Sequence, residues 1–178
     1  MADQLSATDW LDQGLRTLVK SGFTALKAEP LAKAMGVSRG SFYWHFADIG
    51  AFHAAILAHW RDVAVEQIIT DVEAVSPARD ALPALLRRAF GSKPPLESAM
   101  RSWATHDDRV RTAVAAVDRR RVAYVESLLK NSGLSAEVAR ARAQIFYWAF
   151  LGFALSDKPL SRARQHAVFD ELIRMASR

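Results

Sequence analysis

Apolar residues in this chain recur at three- and four-residue intervals along nearly its whole length. No stretch shows the strict alternation of a half-buried strand. That period admits one fold class, all-α, in which each helix buries one apolar stripe against other helices. The punctuation sets the pieces. Ser6 and Asp9 form a capping-box pattern before a helix over Ala7–Ser21, with Trp10, Leu11, Leu15, Leu18 and Val19 as its buried stripe and Gly22 at its end. A short helix over Ala28–Met35 tolerates Pro30 in its first turn and stops at Gly36. Ser38 is placed to cap a third helix, Arg39–His45. Asp48 is placed to cap a fourth, continuing to about Ala74, where Ser76-Pro77 breaks it.

Five more helices are expected: Arg79–Phe90, Leu96–Thr105, Asp108–Asn131, one from Ser135 to Leu155, and one from Ser161 to Ala176, introduced by Pro159. The total is nine. The expected organisation is a three-helix head over residues 6–60, with its motif at about 27–46, joined by a long helix to a helical bundle over 61–178. The glycines are read as residues of helix ends.

The 178 residues hold no cysteine, which excludes disulfides and thiolate metal sites. There is no His-x-x-x-His and no glycine-rich phosphate loop. Asp107 and Asp108 beside His106 point apart on a helix and are read as a helix cap. An enzyme is therefore not expected, nor a metal or a resident cofactor. Residues Met1 to Trp10 do not read as a secretory leader, and the longest apolar run, Ile145–Leu155, is too short to span a bilayer. A cytoplasmic location is expected.

The formal charge of +5 invites a nucleic-acid partner, but its distribution argues otherwise. In residues 1–50, Arg16, Lys20, Lys27, Lys33 and Arg39 are balanced by Asp3, Asp9, Asp12, Glu29 and Asp48. The argument for DNA rests instead on the run from Leu31 to Phe46. Ala32 is small enough for close helix contact, Gly36 suits a left-handed turn, and Val37 plugs the gap between two helices. Phe42 and Phe46, four apart, can pack inward. Arg39, Ser41, Tyr43, Trp44 and His45 then remain for a major groove, with Ser38 and Lys27 near the phosphates. Trp44 could equally lie along the DNA backbone or shield the head.

The run Val37-Ser38-Arg39-Gly40-Ser41-Phe42-Tyr43-Trp44-His45-Phe46 resembles the recognition-helix signature of the TetR family of transcriptional regulators. The resemblance extends over about the first 60 residues, with Gly22-Phe23 before and Ala51-Phe52 after, and weakly into the body at Leu96–Ala104. It implies a homodimer that binds a double-stranded DNA operator as a repressor and is released by a small ligand. Two positions depart from the pattern. Lys27 stands where a capping Thr or Ser is usual, and Ile49 where a backbone-contacting Lys often lies. The other reading of the chain is a helical ligand-binding or protein-interaction module whose head does not read DNA.

In the body, Trp103, His106, Tyr147 and Trp148 are candidates for lining a ligand cavity, because each joins an apolar surface to a polar tip. His106 alone also fits a helix-end cap, and all four fit ordinary core packing. Arg121 interrupts an apolar stripe, with Asp118 one candidate partner. Ala141, Ile145, Trp148, Ala149 and Gly152 form a stripe suited to close helix pairing. The last two helices are thus the expected dimer surface, unless the stripe packs within the subunit.

Overall fold

The computed structural model describes residues 5–75, 77, 80–158 and 160–176. Ten α-helices are found among them: α1 (Ala7–Ser21), α2 (Ala28–Met35), α3 (Arg39–Tyr43), α4 (Ile49–Arg61), α5 (Gln67–Val75), α6 (Ala81–Gly91), α7 (Pro95–Ala104), α8 (Asp108–Asn131), α9 (Ala136–Leu155) and α10 (Arg162–Ala176). The expected break at Ser76, the helix start at Arg79 and the role of Pro159 lie outside the described residues. None of these helices is long and apolar enough to cross a membrane.

The chain divides into two compact units. One is the described part of Met1–Val63 with Pro95–Val114, and the other the described part of Ala64–Pro94 with Ala115–Arg178. In the first, α1 packs against both α4 and α7. Residues 95–114, assigned from the sequence to the body, are part of this unit.

Its helix α1 starts as its residues dictate. Ser6 Oγ accepts from the Asp9 amide at 3.2 Å, and Asp9 accepts from the Ser6 amide at 2.7 Å. The buried face of α1 differs from the expected stripe. Gly14 lies inside and Val19 outside. A Cβ at Gly14 would fall 2.6 Å from Ile56 Cδ1 and 2.9 Å from Phe52 Cζ, so only glycine lets α1 approach α4 this closely. The sequence reading placed every glycine at a helix end and missed this one, because close approach of two helices leaves no local signal.

The fourth helix also differs from expectation. It does not continue as one α-helix to Ala74 but passes through a π turn at Asp62–Glu66 before α5. Two adjacent arginines of α8 hold that turn. Arg120 reaches Glu66 with both Nε (3.3 Å) and Nη2 (3.2 Å), and Arg121 Nη2 donates to the Ala64 carbonyl at 3.4 Å while its guanidinium lies 5.2 Å over the Phe150 ring. A π turn widens the i→i−4 ladder, and Arg121 supplies a donor to one of its carbonyls.

The second unit buries Val65, Ile69 and Val72 of α5, Leu82, Leu86 and Phe90 of α6, Tyr124, Leu128 and Leu129 of α8, and Ala143 and Phe146 of α9. Gln165 Nε2 of α10 donates to the Phe90 carbonyl at 2.8 Å, and Arg142 Nη1 of α9 to the Met175 carbonyl at 2.6 Å.

Asp107 caps α8 as expected. Its Oδ1 accepts from the Arg109 amide at 2.9 Å, and Arg109 Nη2 pairs with Oδ2 at 2.8 Å. The guanidinium holds the Asp107 carboxyl at about 2, below its ordinary 3.8. A depressed carboxyl pKa stabilises the fold above the unfolded value, and that stability is lost as pH falls from about 4 toward 2. Asp107→Ala should therefore cost about 1 kcal/mol at pH 7. In urea unfolding at pH 7 and pH 3, the difference between wild type and variant should be smaller at pH 3. An equal difference would mean the carboxylate charge plays no part.

Candidate nucleic-acid interface

The turn between α2 and α3 follows from one glycine. Gly36 takes φ 69° and ψ 26°, the left-handed conformation. Its amide donates to the Lys33 carbonyl at 3.3 Å, and the Val37 amide to the Ala32 carbonyl at 3.1 Å. This is the pair of bonds that ends a helix and reverses the chain within two residues. Val37 is half-buried, as its place between two helices requires.

Helix α3 is shorter than expected. It runs from Arg39 to Tyr43 and not to His45, because the Phe42 carbonyl accepts the amides of both His45 and Phe46 at 3.1 Å and tightens the chain into a turn. Ser38 occupies the N-cap position with extended backbone, but its hydroxyl makes no capping bond. The Ser41 amide, which the hydroxyl was expected to satisfy, donates instead to the Ser38 carbonyl at 3.0 Å. Lys27, at the N-cap of α2, likewise caps nothing with its side chain and is exposed.

The orientation of α3 is set by aromatic packing. Phe42 is fully buried and lies 5.4 Å from Trp10, 5.1 Å from Phe52 and 5.3 Å from Phe46, ring centre to ring centre. Phe46 and Phe52 are 4.9 Å apart. Mostly edge-to-face contacts therefore anchor α3 to α1 and α4. With Phe42 turned inward, Arg39 and Tyr43, one turn apart, face outward together. Arg39 Nη2 donates to the Tyr43 hydroxyl at 3.1 Å, its guanidinium lies 5.5 Å over the Tyr43 ring, and both residues are exposed. Donating this hydrogen bond to Tyr43 raises the Arg39 pKa above its ordinary value. Trp44 is 85% exposed, Ser41 and His45 are half-buried, and Ser38 is exposed.

The seven residues singled out for DNA thus sit at the start of α2 and along Ser38–His45. The Arg39–Tyr43 hydrogen bond was not foreseen, although their spacing of four is the signal that could have found it.

The residues singled out for a ligand fall in different units. Trp103 is buried in the first, edge-on to His53 at 5.2 Å, and His53 Nε2 is 3.0 Å from the Leu26 carbonyl. His106 sits at the end of α7, with Nδ1 2.7 Å from Thr105 Oγ1 and 3.3 Å from the Ser102 carbonyl, and packs on Phe23 at 5.0 Å. Tyr147 is buried in the second unit and donates to Asp118, whereas Trp148, next to it on α9, is 63% exposed. Of the pairing stripe, Ala141, Ile145 and Gly152 are exposed and Ala149 half-buried.

Residues 11–56 match the family model of the bacterial regulatory proteins, tetR family. No curated protein matches the chain in sequence. Among solved structures, the reduced form of NemR from E. coli is similar over 96% of this chain and 94% of its own, with 21% identity and a TM-score of 0.72. AibR in complex with isovaleryl coenzyme A and operator DNA is similar over 95% and 96%, with 17% identity and a TM-score of 0.66. The fatty acid degradation regulator FadR from Bacillus halodurans is similar over 96% and 94%, with 12% identity and a TM-score of 0.65.

Proposed function

We propose that the chain, whose residues 11–56 match the bacterial regulatory proteins of the tetR family, is a sequence-specific DNA-binding transcriptional regulator and acts as a cytoplasmic homodimeric repressor, released from its operator by a small ligand. The observation that carries the DNA-facing assignment is the packing of α3. Its inner face is fixed by Phe42 and Phe46, which leaves Arg39, Ser41, Tyr43 and Trp44 on the accessible side of a five-residue helix. Arg39 and Ser41 lie toward the N-terminal end of α3, where side chains meet base edges. Tyr43, His45 and Lys27 are assigned to phosphates, with Ser38 and Trp44 beside them. That a chain of this fold can hold a small ligand is seen in AibR, whose structure contains isovaleryl coenzyme A together with operator DNA. The role assigned here is regulation, not catalysis.

Lys27 and Tyr43 provide the test. Lys27→Ala should flatten the dependence of log affinity on log salt by about 0.9 for each phosphate given up, hence about 1.8 for a dimer. Tyr43→Phe removes a hydroxyl and should weaken binding to both operator and random duplex, by about 0.5–1.5 kcal/mol per copy. Fluorescence anisotropy on the chain's own upstream DNA reads both. Unchanged binding by two folded variants would overturn the assignment of this face to DNA.

The dimer is tested at Gly152. It is exposed, and an added Cβ there meets nothing within 4 Å inside the subunit. Gly152→Arg should therefore leave the subunit folded while placing an unpaired charge in the interface. Such a charge costs about 3–5 kcal/mol, which corresponds to a weakening of dimerisation by about two to four orders of magnitude. Sedimentation velocity should show a dimer for wild type and a monomer for the variant. A wild-type monomer at micromolar concentration would remove the proposal.

A further inference from the structure

The start of α2 is held from outside the helix. Lys27 occupies the N-cap position with extended backbone, φ −130° and ψ 149°, and its side chain makes no capping bond. The peptide group between Leu26 and Lys27 is nonetheless fixed at both ends. The Lys27 amide donates to the Ala25 carbonyl at 2.9 Å. The Leu26 carbonyl lies 3.0 Å from His53 Nε2 of α4, and a carbonyl only accepts, so the imidazole is the donor. Leu26 is buried, where a carbonyl without a donor is costly. The residue four further on, from which a helix would take that donor, is Pro30, which carries no N–H.

The imidazole is itself held in place. His53 is half-buried, and the Trp103 ring of α7 stands edge-on to it at 5.2 Å. Its neighbour Phe52 is fully buried against Phe42 and Phe46. Two consecutive residues of α4 thus serve the two helices of the motif: Phe52 anchors α3, and His53 anchors the start of α2.

Resting on the assignment of Lys27 to a phosphate, we propose that His53 is the positioning residue for that contact. It acts through the backbone, by fixing the peptide plane from which the Lys27 side chain extends. A lysine side chain is flexible, and a stem that also moved would add to the ordering cost of reaching a phosphate. The imidazole N–H removes that freedom before DNA arrives.

The test compares four variants on the chain's own upstream duplex, by fluorescence anisotropy over a salt series, with circular dichroism confirming that each is folded. His53→Leu should lower affinity at about 0.15 M salt by up to about fivefold per subunit, and should flatten the salt dependence by up to about 0.9 per subunit, toward the behaviour of Lys27→Ala. The double variant His53→Leu/Lys27→Ala should be no flatter than Lys27→Ala alone. His53→Gln should restore the slope, because its amide nitrogen stands as many bonds from Cβ as Nε2 does and also donates. A loss of affinity in His53→Leu with an unchanged slope would mean a purely structural role and overturns the proposal. So does a double variant whose losses add, or a His53→Gln that behaves like His53→Leu. In each of these cases a flattened slope in Lys27→Ala leaves the phosphate assignment standing. An unchanged slope in Lys27→Ala overturns that assignment and the role of His53 with it.

Discussion

Phe42→Ala should lower the unfolding free energy by about 3–5 kcal/mol, the range for truncating a fully buried aromatic. The loss has two parts. The ring leaves water completely on folding, and it also supplies edge contacts to Trp10 and Phe52 that alanine cannot replace. The surroundings cannot collapse easily, because α1 and α4 are already in close contact through Gly14. DNA binding should fall further than stability alone explains. Helix α3 has only five residues, so its position comes from this packing and not from intrinsic helicity. Urea unfolding gives the stability, and operator titration under conditions where the variant is fully folded gives the positional effect. A loss below about 1 kcal/mol would show that the cluster tolerates a cavity, contrary to close packing.

Arg39→Ala should cost about 1–3 kcal/mol per half-site on the cognate operator and much less on random duplex, the signature of a guanidinium that reads a base edge. The structure adds a second expectation. Arg39 is tied to Tyr43 by a hydrogen bond and by ring contact, so the two substitutions should not be additive. In a double-mutant cycle, Tyr43→Phe should cost less in the Arg39→Ala background than in wild type, because part of its effect is the freeing of Arg39. Strict additivity would mean the pair acts independently when DNA is bound. Equal losses on operator and random duplex would move Arg39 from the bases to the phosphates.

Much of this was legible in the residues. The starts and ends of α1, α2 and α8 were set by local chemistry: Ser6 with Asp9, Gly22, Gly36 and Asp107. The inward turn of Phe42 and Phe46 followed from their spacing of four. What was missed depends on contacts distant in sequence. Gly14 looks like a poor helix residue until Phe52 and Ile56 are brought against it. The π turn at Asp62–Glu66 has no composition signal, and its partners Arg120 and Arg121 lie more than fifty residues away. Glu97 is almost wholly buried with Arg101 Nη2 at 2.8 Å, a pair whose spacing was visible but whose burial was not. Trp103 read as a possible ligand contact because an aromatic on an amphipathic helix looks the same whether it meets a cavity or His53.

The five tryptophans divide sharply. Trp10, Trp60 and Trp103 are sealed in the interior, while Trp44 lies at the end of α3 and Trp148 in the expected pairing stripe of α9, both open to solvent. The protein therefore carries an optical label on each of its two proposed contact surfaces, against a background that a water-soluble quencher does not reach. Acrylamide should distinguish three populations in the unmodified chain: a shielded interior, one indole protected when subunits associate, and one protected only when duplex DNA is added. Trp44→Phe and Trp148→Phe would assign the two accessible signals, so assembly and operator engagement could be followed separately in one cuvette without any attached dye.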